Sequence, residues 1–129
     1  MVVYVDTSVV LAALLAEDRR PPPEFWSRHL IASRLLEFET WTRLHAERSS
    51  ADVVEAARLL VGSADLVEMT PTVLARALDP FPVPVRTLDA LHLATATYLR
   101  AQGMRLEFAT YEARLADAAR AIGLALLVP

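Results

Sequence analysis

Five short apolar runs, each separated from the next by a longer stretch of helical periodicity, constrain this chain more than any other feature. The runs at 2–5, 29–32, 66–69, 106–109 and 124–128 are too short for anything but strands. Helical patterns fill the intervals. The first covers 8–17, and a brief turn at 24–28 follows the stiff Pro21-Pro22-Pro23 connector. Ser33 offers an N-cap for a helix reaching about Arg48, and Ser49 or Ser50 caps the next, with 51–60 as its body and Gly62 as its stop. Thr70-Pro71 opens a short helix that ends before Pro80, and the segment 81–84 forms a rigid loop. Thr87 caps a long helix over 88–101, ended by Gly103; Thr110 caps another over 111–122, ended by Gly123. Strands alternating with helices predict βαβ units, right-handed crossovers and a parallel sheet with helices on both faces.

A chain of 129 residues with 54% hydrophobic residues suffices for one domain with a real core and some apolar surface left for a partner. There is no cysteine, which excludes disulfides and thiolate metal sites. The formal net charge is −3 and the pI about 5.6, unlike a strongly basic nucleic-acid binder. All 13 basic residues are Arg. Coding bias toward Arg in a GC-rich genome accounts for this, and Arg also suits phosphate and carboxylate forks. The lack of Lys removes P-loop phosphate binding and Schiff-base chemistry. The apolar stretch 9–16 follows Asp6 with no basic residue before it and no small-residue cleavage site after it, so it does not read as an export signal. No stretch approaches the ~20 apolar residues of a membrane span. A cytoplasmic location is the expectation.

The acids carry the chemical signal. Asp6 ends the first strand, where a desolvated carboxylate is costly unless paired or metal-bound; a helix N-cap is the bland alternative. Glu37 and Glu39 lie two apart on a helix and face different sides of it. Glu39, one turn beyond Leu35 and Leu36, falls near the buried stripe, whereas Glu37 reads as surface. A salt bridge from Glu39 to Arg43 at i+4 would explain it without function. Asp89 lies in RTLDALHLATA, near the start of an otherwise apolar helix, where dipole complementation is the bland role. His92, three residues on, reads as structural rather than as a ligand. Glu112 follows the fourth strand as Asp6 follows the first, while Asp117 reads as a solvated helix acid.

Asp6, Glu39, Asp89 and Glu112 each lie near a strand-to-helix switch or a helix start that would share one edge of a parallel sheet. Clustered carboxylates raise one another's pKa, and a divalent cation relieves this. Oxygen ligands without Cys and with few His point to Mg²⁺ or Mn²⁺ rather than Zn²⁺.

With these residues in place, the chain resembles the PIN domains, and most closely the VapC-type toxin ribonucleases of bacterial toxin–antitoxin pairs. The matching segments are YVDTSVVLAALLAE (4–17), IASRLLEFETWTRL (31–44), RTLDALHLATA (86–96) and FATYEARLADAARAIGLAL (108–126), in the family's order and spacing. The resemblance implies a single PIN domain over 1–129, with a three-layer α/β/α fold around a parallel sheet of four to five strands. It places the family's acids on Asp6, Glu39, Asp89 and Glu112, as catalytic residues and metal ligands. It places supporting hydroxyls on Thr7, Ser8 and Thr110. The fourth acid is usually Asp in the family; Glu112 reaches one methylene further. The implied activity is an Mg²⁺- or Mn²⁺-dependent endoribonuclease in which a metal-activated water attacks a phosphodiester, leaving 5′-phosphate and 3′-hydroxyl ends. Arg19, Arg20, Arg43 and Arg86 are candidates for binding RNA phosphates. A cognate antitoxin and a homodimer are the implied protein partners.

Three rivals remain at this level. A receiver-type or aspartyl-phosphate enzyme normally needs a second acid near Asp6 and a lysine, but residue 8 is Ser and there is no Lys. A non-catalytic PIN-like module would bind RNA or a partner without cutting. A DNA-directed nuclease of the same fold would carry the same acids.

Overall fold

Each of the five apolar runs becomes a strand, and all five pair in parallel. The computed structural model describes all residues, Met1–Pro129. The elements are β1 (Val2–Val5), α1 (Thr7–Leu14), a 3-10 turn (Pro23–Ser27), β2 (Leu30–Ser33), α2 (Leu35–Ala46), α3 (Ala51–Gly62), β3 (Ala64–Val67), α4 (Pro71–Leu78), α5 (Thr87–Ala101), β4 (Leu106–Ala109), α6 (Ala113–Ala121) and β5 (Ala125–Leu127). The strand order is β3-β2-β1-β4-β5. The chain therefore runs outward from β1 through β2 to β3, then returns to lay β4 on the other side of β1. Connections leaving β1 and β4 diverge, and a crevice opens at the carboxyl ends of these two strands. Val5 pairs with Ala109, so Asp6 and Thr110 leave the sheet abreast.

The pleat sorts the side chains into two cores. Val3, Val5, Leu30 and Ala32 face α1, α2 and α3 through Val9, Val10, Leu36 and Val61. Tyr4, Ile31 and Phe108 face α5 and α6 through Leu93, Ala96, Leu99, Leu115, Ala118 and Ala119. Helices cover both faces, giving the three-layer α/β/α architecture with a five-stranded sheet. No helix is long and apolar enough to cross a membrane.

Boundaries shift where side chains find other work. Helix α1 ends at Leu14 rather than residue 17, because Ala16 turns into the left-handed region at φ 51°. Strand β3 lies two residues earlier than the apolar run implied, as its pairing with β2 begins at Leu30 and Ala64. Ser50 and Thr70 cap α3 and α4 through their hydroxyls. Ser33 accepts the Leu35 N–H at 3.1 Å, although Arg34 occupies the cap position itself. Thr87 is the first residue of α5 rather than its cap, and α6 starts at Ala113, with Glu112 in the cap position. Thr110 accepts the Glu112 N–H at 3.0 Å while its own hydrogen goes to Asp6.

Candidate functional site

Asp6 is 4% exposed at the end of β1 and caps α1. Its Oδ2 accepts from the Ser8 hydroxyl at 2.6 Å, the Thr110 hydroxyl at 2.8 Å and the Ser8 N–H at 3.3 Å. Ser8 is held in turn by the Tyr111 N–H, which donates to its Oγ at 3.0 Å. The cap role and the burial are thus both real, and one oxygen absorbs them. The other, Oδ1, lies 3.7 Å from His92 Nε2.

Glu39 approaches the same crevice from α2. Its Oε1 accepts from the Thr7 hydroxyl at 2.7 Å and lies 2.6 Å from His92 Nε2. Burial works against the charge on Glu39. The His92 bond and charge, with the Thr7 hydroxyl, outweigh it and hold the carboxyl below its usual range. Burial likewise opposes protonation of His92, but the Glu39 bond and the negative charges of Asp6, Glu39 and Asp89 hold the imidazole above its ordinary value.

Asp89 sits in the first turn of α5, partly buried, and Glu112 stands at the rim before α6. Both carboxyls are pushed up. For each the first cause is partial burial, and the negative charges of Asp6 and Glu39 add to it. Asp6, Glu39, Asp89 and Glu112 all line one cavity of about 720 Å³, together with Thr7, Ser8, Tyr111 and Arg43.

Other candidates lie elsewhere or bond differently. Arg43 lines the cavity but pairs with Glu47 at 2.8 Å, so the bridge to Glu39 weighed as a bland alternative does not form; His92 and Thr7 have that carboxylate instead. Glu37 pairs with Arg34 at 3.4 Å, away from this cavity. Asp117 is solvent-exposed and bonded to Arg120. The Arg19 guanidinium lies 5.0 Å from the centre of the Tyr111 ring. Arg86 and Arg114 border a small hollow that Asp89 also lines; Arg114 was not among the Arg residues singled out in the sequence. His92, read there as structural, is buried and touches Glu39, Tyr4 and Thr7. The available signal was its place one helical turn from Asp89 in an apolar helix.

A hard divalent cation suits this donor chemistry. The donors are carboxylate oxygens, and Asp6 and Glu39 each keep one oxygen outside their hydrogen-bonded clamps. Asp89 and Glu112 are raised first by burial and then by the neighbouring carboxylates, and positive charge would relieve the second cause. As arranged, no three Asp, Glu or His side chains converge tightly enough to hold an ion. The fit therefore rests on donor type and shared charge rather than on a closed shell.

Known proteins resemble this chain along most of its length. Residues 3–121 match the PIN domain family model. Ribonuclease VapC46 of Mycobacterium tuberculosis is 32% identical over 98% of this chain and 97% of its own length. Ribonuclease VapC47 of the same species is 28% identical, over 98% and 96%. Among solved structures, Mycobacterium tuberculosis VapC20, a sarcin-ricin loop cleaving toxin, superposes with a TM-score of 0.68 over the full length of both chains at 20% identity. A chain of a toxin-antitoxin complex from Klebsiella pneumoniae superposes with a TM-score of 0.59 at 16% identity, covering 85% of this chain and 86% of its own.

Proposed function

The chain belongs to the PIN domain family, and from that premise we propose that it is a metal-dependent endoribonuclease, the toxin of a type II toxin–antitoxin pair. One observation carries the reading: Asp6, Glu39, Asp89 and Glu112 share a single cavity at the carboxyl ends of β1 and β4. These four acids would hold an Mg²⁺ or Mn²⁺ ion, which would supply positive charge at the scissile phosphate and activate a water for attack.

The chain's own residues do the rest. Ser8 and Thr110 hold Oδ2 of Asp6, and Thr7 holds Oε1 of Glu39, so these hydroxyls orient the two innermost acids. Arg86 and Arg114, beside Asp89, are placed to take phosphates flanking the scissile one. RNA is the substrate this family reading implies, and the cytoplasm, where RNA lies, is the compartment. The domain is taken as 1–129, since the match to the family model and the single sheet span nearly all of it. A cognate antitoxin and a second copy of the chain are the proposed partners. Large exposed apolar side chains, Leu78 at 88%, Leu59 at 69% and Phe38 at 60%, supply surface for them.

The lack of three converging ligands favours a second reading, a PIN-like module that binds RNA or a partner without cutting. One experiment separates the two. Purified protein is expected to cleave structured RNA with Mn²⁺ or Mg²⁺, to stop in EDTA, and to lose cleavage in Asp6→Asn without unfolding. Binding of the same RNA with no cleavage at any metal concentration would establish the second reading. Wild-type rates in Asp6→Asn would show the site to be wrong.

A further inference from the structure

Of the four acids, Glu39 alone projects from the body of a helix rather than from a cap or a first turn. Helix α2 fixes where this side chain starts, but a long Glu side chain leaves its carboxylate free to wander unless something orders it. The ordering comes from four other elements, β1, α1, β2 and α5. The Ser33 N–H donates to the Tyr4 hydroxyl oxygen at 3.2 Å. That hydroxyl lies 2.8 Å from His92 Nδ1. On the far side of the ring, Nε2 lies 2.6 Å from Glu39 Oε1, where the Thr7 hydroxyl also donates at 2.7 Å. Tyr4 is 0% and His92 1% exposed, so both are locked within packed core.

The order of donors is determined by valence. The Glu39 carboxylate can only accept, so the 2.6 Å contact requires a hydrogen on Nε2, and Nδ1 of a neutral ring is then left to accept from the Tyr4 hydroxyl. In the imidazolium both nitrogens carry hydrogens, and Nε2–H still faces Glu39. The donor to Glu39 is thus present in either state of the ring. Both bonds made by this carboxylate end on Oε1; Oε2 has no protein partner.

We infer that His92 is a positioning residue for Glu39, oriented by Tyr4, and that the clamp on Oε1 leaves Oε2 as the one oxygen Glu39 offers to a cation. This rests on the metal-dependent reading above. Partners of this kind orient a ligand, and their loss typically weakens metal binding by about 10–100-fold.

The test titrates Mn²⁺ into wild type, His92→Leu, His92→Gln and Tyr4→Phe, reading free ion by electron paramagnetic resonance and folding by circular dichroism. His92→Leu is expected to lose about 10–100-fold in Mn²⁺ affinity. His92→Gln, whose amide N–H replaces Nε2–H, is expected to recover most of it, and Tyr4→Phe to fall between. Tyr4→Phe keeps the stacked contact with Phe108 at 5.1 Å, so it decides the matter if His92→Leu does not fold. Nitrogen-15 spectra of labelled histidine supply a metal-free readout, with hydrogen expected on Nε2 of His92. Hydrogen on Nδ1 alone would overturn the inference. So would wild-type Mn²⁺ affinity in folded His92→Leu or, failing that, in Tyr4→Phe, with the metal reading intact. A wild-type protein that takes up no Mn²⁺ would overturn both.

Discussion

On the side of the sheet covered by α1, α2 and α3, Val3, Val5, Leu30 and Ala32 meet Val9, Val10, Leu36, Val61 and Phe25. On the side covered by α5 and α6, an equally closed core admits Tyr4, His92 and Thr95, and each has a hydrogen-bond partner. Within the first layer, Thr40 of α2 is fully buried with a hydroxyl that meets nothing. Buried polar groups cost stability unless satisfied. On the α5 side Tyr4 and His92 are satisfied through the chain that ends on Glu39 at the crevice, and Thr95 donates to the Leu91 carbonyl, whereas Thr40 is linked to nothing. Both layers lend residues to the site, Thr7, Ser8 and Glu39 from one and Asp89 and His92 from the other, but only the α5 core carries a polar chain through its interior to reach it.

If that division is right, the two faces respond oppositely to mutation. Asp89→Asn is expected to cut Mn²⁺-dependent RNA cleavage by more than about 100-fold, beyond the cost of losing a supporting partner. The same change raises the Tm of EDTA-treated protein, because it removes a charge that burial and its neighbours disfavour. A fall in Tm would show that Asp89 stabilises the fold. On the other face, Phe25→Ala is expected to cost about 3–5 kcal/mol by urea denaturation. Mn²⁺ affinity per folded molecule should not change; a weakened site would erase the contrast between the faces.

Acidity sharpens the comparison further. His92 faces Asp6, Glu39 and Asp89, and its folded pKa lies above its ordinary value. The folded protein thus binds this proton more tightly than the unfolded chain. The resulting stabilisation is complete below about pH 6.5, the unfolded value, and is lost as pH rises through the higher folded value. Asp89 and Glu112, also raised, extend the gain toward lower pH. Glu39 acts oppositely, but only as pH falls through its lowered value. The Tm of metal-free protein should therefore rise from pH 8 to pH 6, and scanning calorimetry in EDTA would read it. A flat or falling Tm over that interval would mean the crevice charges are not coupled as described. The smallest effect belongs to Thr40→Val, which removes an orphan hydroxyl and should stabilise by about 1 kcal/mol. A loss of that size would reveal an unseen partner.

The strands were legible because burial on both sides of a parallel sheet demands short continuous apolar runs. All five appear within two residues of the positions read from the pattern. Caps were legible where a hydroxyl had nothing else to do, as at Ser50 and Thr70. They were misplaced where the crevice had claimed the hydroxyl, as at Thr110. The Glu39–Arg43 bridge failed for a related reason. Helical spacing permits it, but spacing does not show that His92, more than fifty residues away, competes for the same oxygen.

The amino-acid sequence alone determined the alternation of strand and helix, the two-sided burial and the acids at switches between elements, because periodicity and local cost are written in neighbouring residues. Only the tertiary structure decided that Asp6, Glu39, Asp89 and Glu112 share one cavity, and that His92 belongs with them. The strand order β3-β2-β1-β4-β5 brings β4 beside β1, and α5 then lays His92 between Tyr4 and Glu39. Such meetings depend on contacts distant in sequence, and no local pattern encodes which partner a buried imidazole will find.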